Sequence, residues 1–162
     1  MNENDKKLFK GDGLDEFRSE RKFVCIPYRI VLENYDNIVG MNDKINWAQF
    51  TKFQGDNSFG LWFALYNGAW DMLAIARIRA DENGNVHVNE FDARSGFGKE
   101  MMDTLYNHFK SEKQNYPELV NAKKFTWDAI NDKVAEHYKK NYTEYTYTGK
   151  NPWGYDHFER RF

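Results

Sequence analysis

A chain of 162 residues with 41% hydrophobic and 17% aromatic side chains can bury a core of its own, which excludes intrinsic disorder and fits one domain (22–162) behind an irregular arm (1–21). Lysine and arginine number 23 against 25 aspartate and glutamate, a formal net charge of -2 that supplies no general field for a polyanion. The longest apolar runs fall short of the about 20 residues a membrane helix needs, the charged stretch from Met1 to Lys10 has no secretory h-region, and a single cysteine makes no internal disulfide, so a cytoplasmic setting is expected.

In the arm, Gly11-Asp12-Gly13 precedes a short helix expected around Leu14 to Arg18. The β-branched and aromatic residues from Lys22 to Leu32 predict a first strand interrupted at Pro27, with Cys25 buried and inert within it. Ile45, Trp47, Phe50 and Phe53 predict a helix over 42–53, capped by Asn42 or Asp43. Phe59 to Tyr66, then Asn67-Gly68, then Asp71 to Arg79 predict a tight hairpin, because Asn-Gly suits the positive φ angles of a two-residue turn. A second turn at Asn83-Gly84 leads into Val86, Val88 and Phe91, which completes a meander of three strands.

The period changes after that. From Gly96 to Lys110, Met101, Met102, Leu105, Tyr106 and Phe109 form one helical stripe, and Lys99, Asp103 and Asn107 mark the opposite face. Pro117 breaks the pattern between Asn115 and Ala122; a short strand is expected over Lys124 to Trp127, a helix over Ala129 to Lys140 and a strand over Tyr142 to Thr148. The closing aromatics Trp153, Tyr155 and Phe158, with Arg160 and Arg161, suit a last strand that seals the sheet, with a homodimer contact as the alternative.

Two segments point to chemistry. Asp92-Ala93-Arg94-Ser95-Gly96-Phe97-Gly98-Lys99 lies where a strand hands over to a helix. Free N–H groups and the positive dipole end at such a place bind phosphate oxygens, and glycine lets a ligand approach the backbone. Arg94 and Lys99 would add charge-assisted contacts; the plainer alternative is that Gly96 and Gly98 only permit the turn. The second segment, Phe125-Thr126-Trp127 followed by Asn131 to Lys140, is a strand handing over to a helix that carries Asn early and Tyr two turns later.

Together these resemble the GNAT superfamily of acyl-CoA-dependent N-acyltransferases. Gly96 and Gly98 fall on the paired glycines of the family's R-G-x-G-x-G/A turn, and Asn131, Val134, Tyr138 and Lys140 fall on its N-x-x-A-x-x-L-Y-x-K pattern. The chain departs from the pattern at Ala93, where the family favours Gln or Arg, and at Asn141, Tyr142 and Thr143, where it continues with an apolar residue, Gly and Phe. The resemblance implies a mixed α/β (α+β) fold with a mostly antiparallel central sheet flanked by helices. It also implies acetyl-CoA as co-substrate, held by Phe91, Ala93, Arg94, Ser95, Gly96, Phe97, Gly98, Lys99 and Asn131, and transfer of the acyl group to an unidentified primary amine.

In such a transfer Tyr138, with a phenol pKa of about 10, matches an alkyl thiol and serves as general acid. By the resemblance, a backbone N–H between Phe91 and Ala93 holds the carbonyl oxygen where the strand splays from its neighbour. Glu90 is the base, with Asp92 and His87 as alternatives. A protein that keeps the fold and has lost the cofactor site is the competing expectation. A nucleic-acid role would need a local basic face from Lys123, Lys124, Lys139 and Lys140. Asp81, Asn83, Gly84 and Glu90 imitate a calcium loop, but Arg79 stands at its first ligand position. His87, His108, His137 and His157 lack the spacing of a metal site.

Overall fold

The computed structural model describes residues 19–26 and 61–162. The expected helices around Leu14 to Arg18 and over 42–53, and the first strand beyond Ile26, lie outside them. Among the described residues one sheet holds seven strands: β1 (Arg21–Ile26), β2 (Leu61–Asn67), β3 (Met72–Ala80), β4 (Val86–Ala93), β5 (Lys124–Ala129), β6 (Thr146–Lys150) and β7 (Asp156–Arg161). Two helices accompany it, α1 (Gly98–Glu112) and α2 (Asp132–Asn141). The order across the sheet is β1-β2-β3-β4-β5-β7-β6, antiparallel throughout except where β5 lies parallel to β4. The fold is thus mixed α/β with a mostly antiparallel sheet, as expected. Among the described residues no helix is long and apolar enough to cross a membrane.

Alternation along the strands sorts the sheet into two faces. Phe63, Leu65, Ala74, Ala76, Ile78, Val86, Val88, Phe125, Trp127 and Phe158 form the inner face and join one buried core. The predicted stripe of α1, Met101, Met102, Leu105, Tyr106 and Phe109, lies on it and is buried, while α2 adds Ala135 and the flanks of Val134 and Tyr138. Both helices therefore cover the same face.

Each turn is set by a side chain. The hairpin after β2 forms as expected but not as a two-residue Asn-Gly turn. Asn67 accepts from Asp71 N at 3.0 Å and from Ala69 N at 2.9 Å through its amide oxygen. The left-handed residue is Trp70 (φ 63) rather than Gly68. Trp70 holds that conformation with its ring against Tyr66 and with Lys22 Nζ 4.1 Å above it. In the second turn Asp81 Oδ1 accepts from Asn83 N and Asn85 N, and Gly84 takes the positive φ of 78. Asp81 is therefore engaged in an Asx turn.

Two further expectations change. Cys25 is exposed, not buried, on a strand at the edge of the sheet among the described residues. Of the closing aromatics only Phe158 lies on the last strand, β7, which inserts between β5 and β6. Phe158 is buried there, while Trp153 and Tyr155 in the preceding turn stand exposed.

Candidate active site

β4 and β5 pair over only three positions, Val86↔Phe125, His87↔Thr126 and Val88↔Trp127, and β4 then continues for five more residues. The parting coincides with a bulge. Arg77 faces Glu90 and Ile78 faces Val88, which leaves Asn89 without a cross-strand partner, and a bulge of this kind bends its strand and strengthens the twist. It also shifts parity. Val86 and Val88 face the core before it, Phe91 and Ala93 after it, so Glu90 and Asp92 share the outer face with His87. Arg94 N donates to Leu73 O at 2.8 Å, and alternation then turns the N–H of Phe91 toward the gap that opens beside β5.

Beyond β4 the chain turns sharply into α1. Phe97 N donates to Arg94 O at 3.0 Å and Gly96 takes φ 89, the geometry of a type II turn with glycine in the position that requires it. Phe97's amide thus closes the turn and is not among the free N–H groups expected at this junction. The first intrahelical bond is Met101 N to Phe97 O and no side chain caps the helix. The N–H groups of Gly98, Lys99 and Glu100 accordingly have no acceptor within α1, and the positive end of the dipole stands beside an open space at Gly96.

The expected cations are held to the sides. Arg94 Nε donates to Met72 O at 2.7 Å, and Lys99 Nζ lies 2.9 Å from Asp103 and 3.4 Å from Glu144. Glu100, in the first turn, binds Arg21 Nε at 2.6 Å, while the Arg21 guanidinium also lies over the Phe97 ring. Ser95 is exposed on the turn.

On the other side of the gap, Asn131 caps α2 by accepting from Val134 N at 2.9 Å, which assigns it a local structural task. Tyr138 lies against Trp127, Phe158 and Tyr142, with ring centroids at 5.6, 5.6 and 4.8 Å. Burial raises its pKa, so the phenol holds its proton at neutral pH.

The residue that sequence reasoning did not place here is Tyr142. It is buried at the end of α2 and in ring contact with Trp127, Tyr138 and Tyr145. Its hydroxyl reaches across to α1: a Cβ on Gly98 would lie 2.8 Å from Tyr142 Oη and 3.8 Å from the Phe91 ring. Gly98 is thus a glycine because a phenol fills the place of its side chain. The signal in the sequence was the departure from the family's Gly-Phe after Lys140. Burial pushes the Tyr142 pKa well up, and the charge of Asp103 adds to it.

Glu90 projects from the outer face toward Arg77, its Oε1 3.9 Å from Arg77 Nη2, and Arg77 is 1% exposed. A buried guanidinium needs a counter-charge nearby, and Glu90 provides one. His87, also on the outer face, has Nδ1 2.7 Å from Thr126 Oγ1, and burial lowers its pKa. Among the described residues no three His, Cys, Asp or Glu side chains are grouped to hold a metal ion.

No family model matches the chain, and a search of curated proteins finds no match. Solved structures do match. A putative N-acetyltransferase from Lactobacillus plantarum aligns with TM-score 0.61 at 9% identity, over 88% of this chain and 99% of that one. The ribosomal-protein-S18-alanine N-acetyltransferase of Escherichia coli aligns with TM-score 0.57 at 8% identity, over 87% and 93%. The aminoglycoside acetyltransferase AAC(6')-Ib, in complex with coenzyme A and kanamycin, aligns with TM-score 0.59 at 10% identity, over 88% and 95%. At such identities the likeness is one of fold.

Proposed function

From the premise that this chain has the fold of the GNAT acetyltransferases, we propose that it transfers an acetyl group from acetyl-CoA to a primary amine. The observation that carries the proposal is the parting of β4 from β5 after Val88 and Trp127 beside an uncapped α1 N-terminus. A diphosphate fits the N–H groups of Gly98, Lys99 and Glu100 with Gly96 leaving room for it, and an acyl arm fits the gap. The lone cysteine accords with work in a reducing, cytoplasmic setting.

Acetyl transfer joins the amine nitrogen to the thioester carbonyl carbon and breaks the carbon–sulfur bond. The N–H of Phe91, turned into the gap, supports the charge that grows on the carbonyl oxygen. Tyr138, kept protonated by burial, gives its proton to the departing thiolate. The proton shed by the amine goes to a base on the outer face, where Glu90 is turned toward Arg77.

One observation favours a second reading. The Tyr142 phenol spans from α2 to Gly98, in a position that narrows the approach to the turn, as in a protein that keeps the fold without the cofactor. Titration with acetyl-CoA separates the two: saturable binding with release of free thiol on adding an amine supports the enzyme, and absence of binding supports the alternative.

A further inference from the structure

Three of the large apolar side chains left exposed among the described residues stand together at one end of the sheet: Ile130 and Trp153 are each 74% exposed and Tyr155 45%. Register places them. Trp127 and Phe158 face the core, so their neighbours Asp128 and His157 lie on the outer face, with His157 Nδ1 2.7 Å from Asp128 Oδ1. Ala129 then pairs with Asp156, and the next residues outward are Ile130 and Tyr155. β5 ends here, two residues beyond Trp127, whereas β4 runs on for five beyond Val88. Past Ala129 the gap therefore has the free length of β4 on one side and the turn between β6 and β7 on the other. Two strand spacings, roughly 10 Å, separate those walls, and the parting of β4 from β5 widens them.

The turn is built to hold its shape. Asn151 Oδ1 accepts from Trp153 N and Tyr155 N, each at 3.0 Å, Asn151 N donates to Tyr155 O at 2.8 Å, and Gly154 takes φ 86. Pro152 fixes one further dihedral. Lys150 Nζ, 3.2 Å from Asp132 and 3.4 Å from Asp156, ties the hairpin to the start of α2, so Ile130 keeps its place beside the turn. A turn braced in this way presents an indole and a phenol to solvent with no gain to the core, and apolar groups exposed together within a polar rim mark a contact site. The opposite wall carries Glu90 and Asp92 on the outer face of β4, carboxylates that attract an ammonium group. An opening that is acidic on one wall and aromatic on the other fits a molecule with an ammonium group and a ring. A second copy of the chain is the less suited occupant, because three side chains fall well short of the about 800 Å² per partner of a stable interface.

We propose that Ile130, Trp153 and Tyr155 are the specificity surface for the acceptor, and that the acceptor is a primary amine on an aromatic body, an assignment that rests on the acyl-transfer reading above. The ring of the acceptor lies against Trp153 and Tyr155, where aromatic pairs in offset or edge contact gain more than their buried area alone supplies. Its amine enters the gap between β4 and β5, where the bond changes are those already described. A polyamine meets the carboxylates and misses the apolar wall, and a short alkylamine fills little of it.

The test offers the full chain acetyl-CoA with phenylethylamine, n-butylamine or spermidine, and follows thiol release at neutral pH. Phenylethylamine is expected to have the highest kcat/KM, about tenfold or more above n-butylamine. Trp153→Ser and Tyr155→Ser remove most of that advantage by raising KM. Both residues are exposed, so the melting temperature and its rise with acetyl-CoA stay as in the wild type. A readout free of turnover is the indole N–H resonance of Trp153, which phenylethylamine shifts when coenzyme A is present. Spermidine or n-butylamine preferred to phenylethylamine, a preference that survives both substitutions, an indole resonance left unmoved, or transfer to none of the three amines while acetyl-CoA binds would each overturn the assignment. A wild-type dimer that Trp153→Ser makes monomeric, with the order of amines unchanged, would give the surface to a second copy instead. Failure of the wild type to bind acetyl-CoA defeats the acyl-transfer reading itself, and this assignment falls with it.

Discussion

At Gly98 two unlike demands meet, since the backbone there opens a helix and the space beside it belongs to a phenol from another helix. Alanine is ordinarily the better helix residue by up to about 1 kcal/mol. Here its methyl would lie 2.8 Å from Tyr142 Oη, and Gly98→Ala is expected to destabilise by roughly 1–3 kcal/mol in urea melts, as overpacking does. In a Tyr142→Phe background the same change should cost less. Tyr138→Phe should lower kcat by about 10²–10⁴-fold, the usual loss for a general acid, with acetyl-CoA affinity retained; an unimpaired variant removes Tyr138 from the reaction. The histidines on the outer face respond to pH with opposite signs. His157 is raised by its bond to Asp128, so its stabilisation is full below the free imidazole value of about 6.5 and fades as pH climbs through the raised one. His87 is lowered by burial, so its contribution is full above that value and is lost on acidification. The stability deficit of His157→Gln should therefore shrink between pH 5.5 and 8.5, and that of His87→Gln should grow.

Elements whose period is carried by their own residues were legible before the structure. Met101, Met102, Leu105, Tyr106 and Phe109 announce α1, and all five are buried as their spacing requires. The meander was equally clear, because Ala74, Ala76 and Ile78 alternate along β3. Features that depend on partners elsewhere in the chain were hidden. No local pattern marks Asn89 as a bulge, since a bulge is defined by the register of β3 against β4. The wider turn after β2 follows from the Asn67 side chain, which competes with the backbone for Ala69 N and Asp71 N. The Asp128–His157 pair joins residues 29 positions apart, and Tyr142 meets Gly98 across two helices. Asn131 was placed at the right junction, and its oxygen serves α2. Asn131→Ala should cost about 1 kcal/mol, the usual value of an N-cap, measured as a lowered urea midpoint with an unchanged slope.

For the molecule as a whole, function turns on whether one gap in the sheet admits a ligand. The parted strands, the uncapped α1 and the open side of Gly96 favour entry, while the phenol between α2 and α1 opposes it. Removing the phenol with Tyr142→Gly should tighten acetyl-CoA binding if the gap is the binding site. The most direct measurement is the thermal stability of the wild-type chain in rising acetyl-CoA. A ligand at 100 times its dissociation constant adds about 2.7 kcal/mol, which for a chain of this size raises Tm by roughly 5–10 °C. A saturable rise of that order, enlarged at equal concentration in Tyr142→Gly, is the predicted result. A Tm that stays flat up to millimolar acetyl-CoA in both proteins would contradict it.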